Sequence, residues 1–173
     1  MLINSLKQLE KLLNFSKTGC DVMFDNNLDQ LYRTVIMDHY KNPRNKGLVE
    51  DSTYHSLHVK NPSCGDDVTI QIKIEDGKIT SIHHNGTGCS ICCSSSSVMS
   101  EVLTGKTLVE ANEVINDFYN LIKGEEVKDV DRLEEAIAYT GVAKFPARVK
   151  CATLSWRAAG AILAGEAGDK EYD

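Results

Sequence analysis

An α+β domain, with a small three-stranded antiparallel sheet packed against several helices, is the fold class this sequence predicts. Three observations carry the expectation. Apolar and polar residues alternate over 68–74, and the chain then turns back through Asp76-Gly77, a tight-hairpin dipeptide. Apolar positions at helical spacing dominate most of the remainder. The 173 residues, 42% of them hydrophobic, show no internal repeat and no linker, so they suit one core of ordinary size.

Residues 1–22 read as an N-terminal extension that need not belong to the fold. Leu2, Leu6, Leu9 and Leu13 recur at helical spacing, and Lys17 to Asp21 then breaks the pattern before Met23. Two readings stand side by side: an upstream leader, or a short helix that binds a partner. The domain itself is expected over 23–165. From Leu28 the stripe Leu31, Tyr32, Val35, Ile36, His39 and Tyr40 predicts a helix. Asn27 is its expected N-cap, with Gln30 as capping-box partner, and Pro43 and Gly47 end it near Asn42. Strands are expected over 54–60, 68–74 and 79–85. After Gly86 and Gly88 a helix carries Val98, Met99, Val102 and Leu103 on one face and stops at Gly105. Thr107 with Glu110 caps the next helix, which Gly124 closes. A charged loop follows, then a short helix from Asp131 with Glu134 to about Gly141. Pro146 is placed to be the first residue of a last helix reaching about Ala164. The small, acidic tail 166–173 is expected to fray.

The charge balance narrows the function classes. With 19 basic and 25 acidic side chains the formal net charge is −6, which argues against a nucleic-acid partner. No apolar run approaches the roughly 20 residues needed to cross a bilayer, so no membrane role is expected. The first 15 residues interleave charges with leucines and lack the pattern of a secretory signal. The expected compartment is therefore the cytoplasm, where thiols stay reduced. The six cysteines, Cys20, Cys64, Cys89, Cys92, Cys93 and Cys151, are then metal ligands, reactive groups or core residues rather than disulfides.

Cys64 sits in a turn entering the central strand, Cys89 in a Gly-bracketed turn between hairpin and helix, and Cys151 in the first turns of the last helix. Turns and a helix start can converge at one end of a sheet. Asp66, two residues after Cys64, projects to the same side at strand spacing. Three thiolates and one carboxylate would suit tetrahedral Zn²⁺, with the harder carboxylate the easier corner to open. Spacing alone leaves this open, because an isolated cysteine in a turn is more often inert. Cys89-Ser90-Ile91-Cys92 is a C-x-x-C that offers a competing knuckle or redox pair, weakened by the lack of a second one. Cys92 and Cys93 read better as small packing residues than as spare thiols beside the site. The run from Ser94 to Ser97 suggests close helix packing. His39 falls on a buried stripe, where a hydrogen-bonded core role is expected, and His55, His58, His83 and His84 show no ligand spacing.

Leu31-Tyr32-Arg33, Met37 to Asn45, Asn61-Pro62-Ser63-Cys64-Gly65-Asp66, Gly88-Cys89-Ser90-Ile91 and Lys144 to Trp156 resemble the iron–sulfur cluster assembly family of IscU and the NifU N-terminal domain. Two departures from the IscU pattern make the chain most similar to the SufU branch. Lys150 stands where IscU-type chains have a histidine before the last cysteine, and the segment 125–143 is inserted ahead of it. The resemblance implies a metal set of Cys64, Asp66, Cys89 and Cys151 holding zinc. It implies sulfur relay: Cys64 accepts persulfide sulfur from a cysteine desulfurase of SufS type and hands it to a downstream Suf scaffold or apo-protein. Arg148 would support the site by steadying a developing sulfur charge, or would serve as an ordinary surface arginine. The rival is a scaffold on which a [2Fe–2S] cluster is assembled and transferred. A purely structural zinc domain is a third reading, which Asp66 counts against.

Overall fold

The structure is a computed structural model that describes residues 21–172. The expectations for residues 1–20, Cys20 included, lie outside the described residues. The chain runs through helix α1 (Asp21–Lys41), strands β1 (Tyr54–Asn61), β2 (Asp66–Glu75) and β3 (Lys78–Thr87), helices α2 (Ser90–Leu103) and α3 (Leu108–Lys123), a 3₁₀ segment (Asp131–Lys144), helix α4 (Pro146–Leu163) and strand β4 (Gly168–Glu171).

The α+β class is as the sequence predicts. The two antiparallel pairs β1–β2 and β2–β3 form, with Asp76 (φ 51°) and Gly77 (φ 72°) both left-handed in the hairpin turn between β2 and β3. Leu57, Val59, Val68, Ile70, Ile72, Ile79 and Ile82 point inward from the three strands. Helices α2 and α4 rest directly on the sheet, and α1, α3 and the 3₁₀ segment pack around them. Between the helices Phe118 stacks on Trp156 at 4.0 Å, and Tyr139 meets Phe118 edge-on.

The sheet differs from expectation in its size and in the fate of the tail. It has four strands in the order β3-β2-β1-β4, and β4 runs parallel to β1. The tail is therefore paired, not frayed. Helix α4 returns the chain to the open edge of β1, where the Tyr172 N–H donates to Lys60 O and His58 pairs with Asp169 at 2.7 Å. Two further corrections are local. Helix α1 already runs at Asp21, so Asn27 is an exposed interior residue and not the N-cap; a polar residue on a solvent face costs a helix little. Glu134 is not a cap partner for Asp131. It breaks the 3₁₀ segment with φ 50° and ψ −125°, and its carboxylate accepts from Lys106 at 3.1 Å. The segment also continues past Gly141 to Lys144. The caps at Thr107–Glu110 and Gly124 and the proline at the start of α4 form as expected.

The serine run is both packing surface and polar hub. Ser94, Ser95, Ser96 and Ser97 are all fully buried on α2. Tyr139 donates to Ser94 at 2.7 Å. Ser95 donates to Ala152 O at 2.6 Å and accepts from Trp156 Nε1 at 3.0 Å. Ser97 accepts the Arg44 N–H and meets His39 Nδ1, both at 2.8 Å. Small hydroxyl side chains thus let α1, α4 and the 3₁₀ segment approach α2 closely while satisfying buried polar groups.

Candidate metal centre

One end of the sheet gathers the side chains that the sequence singles out. The β1–β2 turn is closed by the Cys64 N–H donating to Asn61 O at 3.3 Å, with Gly65 left-handed at φ 69°. This presents Cys64 half-buried at the mouth of the turn. Asp66 opens β2, directly across from Asn61, and is buried at 1% exposure. Both of its oxygens are fastened. Oδ1 accepts the backbone N–H of Cys89 at 3.0 Å, and Oδ2 accepts from Asn61 Nδ2 at 3.2 Å. Gly88 makes the room, since a Cβ there would lie 2.7 Å from Asp66 Oδ1. Cys151, in the second turn of α4, comes down onto the same spot and is fully buried.

Cys64 Sγ, an Asp66 oxygen and Cys151 Sγ all lie within 4.8 Å of one another, close enough to share one ion. Cys89 caps the start of α2 beside them, but its thiol falls outside that trio while its backbone holds Asp66. Burial pushes the Cys151 thiol well up, and the adjoining Cys64 and Asp66 push it further. Three acidic groups converge here with no buried cation among them. A thiophilic dication is the species that relieves this crowding, so the donor set fits a zinc-type ion. Arg148 is exposed, and interaction with Cys151, then with Cys89 and Cys64, favours its charged form further. Arg148 also lines an open groove of about 400 Å³ together with Tyr32, Arg33, Ile36, Ile91 and Phe145.

Of the remaining described cysteines, Cys92 packs in the core as expected, whereas Cys93 stands outside the core beside the site. Cys92 is fully buried in the core, and burial pushes its thiol up; it makes no knuckle with Cys89. Cys93 is half-buried, with its thiol 3.5 Å from Gly88 O. His39 is a hydrogen-bonded core residue, between Ser97 and Glu135. His58 lies between Asp67 and Asp169, and His84 bonds to Arg44 O. Lys150 is exposed and outside the trio. Sequence reasoning missed Asn61, whose amide touches Asp66 and Cys151. The available signal was its place at the far end of the turn that carries Cys64. Among the described residues no helix is long and apolar enough to cross a membrane.

Comparison with known proteins agrees with this geometry. A family model described as the NifU-like N terminal domain matches residues 31–152. The chain is 43% identical over 145 residues to the zinc-dependent sulfurtransferase SufU of Bacillus subtilis (strain 168), covering 84% of this chain and 97% of that protein. It is 37% identical over 131 residues to the iron–sulfur cluster assembly scaffold protein IscU of Streptococcus pyogenes serotype M1, covering 76% of this chain and 81% of that one. Among solved structures, a protein assigned as an iron–sulfur cluster assembly scaffold for the SUF system of Fervidobacterium islandicum AW-1 superposes with a TM-score of 0.66 at 35% identity. That match covers 72% of this chain and 90% of the other. The N-terminal part of a NifU-like protein from Brucella abortus gives 0.65 at 25% identity, over 77% and 92%. The fold, the converging thiols and the matched span agree, and the chain belongs to the NifU-like N-terminal domain family, with SufU and IscU proteins among its relatives.

Proposed function

We propose that this chain serves iron–sulfur cluster assembly in the cytoplasm as a zinc-dependent sulfurtransferase. It takes sulfur from the persulfide of a SufS-type cysteine desulfurase and passes it to a downstream Suf scaffold or apo-protein. The observation that carries this reading is the Cys64–Asp66–Cys151 trio, with Cys64 as the half-buried, outward member. The likeness to a SufU protein over nearly its whole length supports it.

Cys64, Asp66 and Cys151 would hold the zinc, with Cys89 as the fourth donor from the adjoining helix cap. Zinc, when bound, keeps the thiols deprotonated at neutral pH. The transfer itself is work for this chain's residues. Cys64 Sγ attacks the terminal sulfur of the donor persulfide, the donor's S–S bond breaks, and the donor cysteine leaves as a thiolate. Cys64 then carries the persulfide. Arg148, exposed beside Cys151, offsets negative charge as sulfur moves. Asp66 is held at both oxygens and keeps the buried end of the site in place.

A scaffold that builds a [2Fe–2S] cluster on the same donors is the second reading, favoured by the likeness to IscU proteins. Lys150 weighs against it, because an ammonium offers no lone pair to a metal. Anaerobic purification with zinc and iron analysis, followed by desulfurase assays, separates the two. Tightly held zinc with strong acceleration, lost in Cys64→Ala, is expected. A coloured, transferable cluster without acceleration would favour the scaffold.

A further inference from the structure

Asn61, like Asp117 and Ser155, keeps a buried side-chain atom without a hydrogen-bond partner among the described residues, and of these it is the one at the metal trio. It is fully buried, and its Oδ1 has no hydrogen-bond partner among the described residues. An orphaned buried acceptor is unfavourable, and an apolar residue of the same size would avoid it. The rest of Asn61 is committed to the metal trio. Its backbone carbonyl accepts the Cys64 N–H at 3.3 Å. Its Nδ2 donates to Asp66 Oδ2 at 3.2 Å and lies 3.8 Å from Cys151 Sγ. The acceptor carboxylate fixes the amide's orientation, since Nδ2 must face Asp66. One residue therefore touches all three members of the trio. It does so from the last position of β1, paired in register with Asp66.

We propose that Asn61 is a positioning residue of the metal site, whose carboxamide sets the Asp66 carboxylate and supports negative charge on the Cys151 sulfur. Asp66 is pinned from two sides. The Cys89 backbone supplies one N–H, which side-chain substitution leaves in place, and Asn61 supplies the other. Without Asn61 the carboxylate is free to turn about its remaining bond, and the Cys151 thiolate loses a donor in a site that burial already makes hostile to charge. The site then binds its ion as thiols with a wandering carboxylate, not as one fixed donor set. Groups that orient ligands in this way are typically worth about 10–100-fold in metal affinity. The inference rests on the zinc-site reading above and concerns which residue holds that site in shape.

The test uses the full chain, stripped of metal and titrated with Co²⁺ and Zn²⁺ against a competing chelator. Asn61→Leu keeps the size and removes the amide. Asn61→Ala, which leaves space instead of crowding, replaces it if the leucine variant misfolds by circular dichroism. The expected result is a loss of about 10–100-fold in affinity for both ions. The Co²⁺ ligand-field bands should also move towards those of Asp66→Ala, with the far-ultraviolet circular dichroism of the metal-free protein unchanged. A folded variant with wild-type affinity and wild-type Co²⁺ bands would overturn the role of Asn61 while leaving the site intact. Wild-type protein that binds neither ion would overturn the zinc-site reading itself, and this inference with it.

Discussion

Among the described residues two groups of metal-capable side chains occur, and they are built on opposite principles. Cys64, Asp66 and Cys151 converge at one end of the sheet; His39, Glu101 and Glu135 converge where α1, α2 and the 3₁₀ segment meet. In the second group every charge has a partner. His39 Nε2 sits 2.6 Å from Glu135, its Nδ1 meets Ser97, and Arg44 reaches both Glu101 and Asp38. The first group is all acidic, and the arginine that acts on it, Arg148, is exposed. Proximity is shared by both groups; charge balance is not. The histidine group is closed on itself and staples three elements together. The cysteine group lacks a cation of its own, which is the condition of a site that takes one.

Changes that break this contrast should act differently at the two places. The largest effect is expected for Cys151→Ser, which removes a buried thiolate from the acidic group. Zinc affinity by chelator competition should fall by more than about 100-fold, beyond the loss typical of supporting residues. Next comes His39→Leu. It leaves Ser97 and Glu135 without their buried partner, and urea unfolding should show a loss of about 1–3 kcal/mol. Metal content should stay at the wild-type level. Zinc loss in His39→Leu, or full zinc retention in Cys151→Ser, would erase the distinction.

The smallest effect concerns the edge of the sheet. His58 is held between Asp67 and Asp169, whose hydrogen bonds raise its pKa above the usual imidazole value. A raised value means that its contribution is fully present below the ordinary histidine pKa. It is lost as pH rises through the higher folded value. Amide exchange over 168–171, corrected for the intrinsic pH dependence, should therefore accelerate across that window. Asp169→Asn should flatten the profile. An unchanged profile in that variant would show that His58 does not secure β4.

Much of this architecture is legible in the sequence because its signals are local. Period-two alternation announces β2, Asp-Gly its hairpin, Thr107 with Glu110 the start of α3, and Pro146 the start of α4. What escapes is what tertiary contacts decide. Strand β4 is four exposed or half-exposed residues, Gly168 to Glu171, with no alternation to read; it forms because α4 delivers the chain to an open edge. At the break, Glu134 pairs with Lys106, 28 residues away, a partner that no local pattern announces. At the site, Cys64, Asp66 and Cys151 could be named from their turns and from the family resemblance. Asn61 could not, because its role appears only once strand register sets it opposite Asp66. Cys89 shows the reverse. Its motif names the thiol, which lies outside the 4.8 Å trio, while the backbone N–H that fastens Asp66 shows only in the structure.

In the proposed function the outward thiol of the acidic group, Cys64, receives the sulfur. Incubating the zinc-loaded chain with a SufS-type desulfurase and cysteine, then mapping thiols by mass spectrometry without reductant, tests it directly. One added sulfur atom is expected on the peptide containing Cys64, and none on any peptide of Cys64→Ala that retains its fold. Added sulfur on another cysteine with Cys64 unmodified, or full acceleration of the desulfurase by Cys64→Ala, would contradict it.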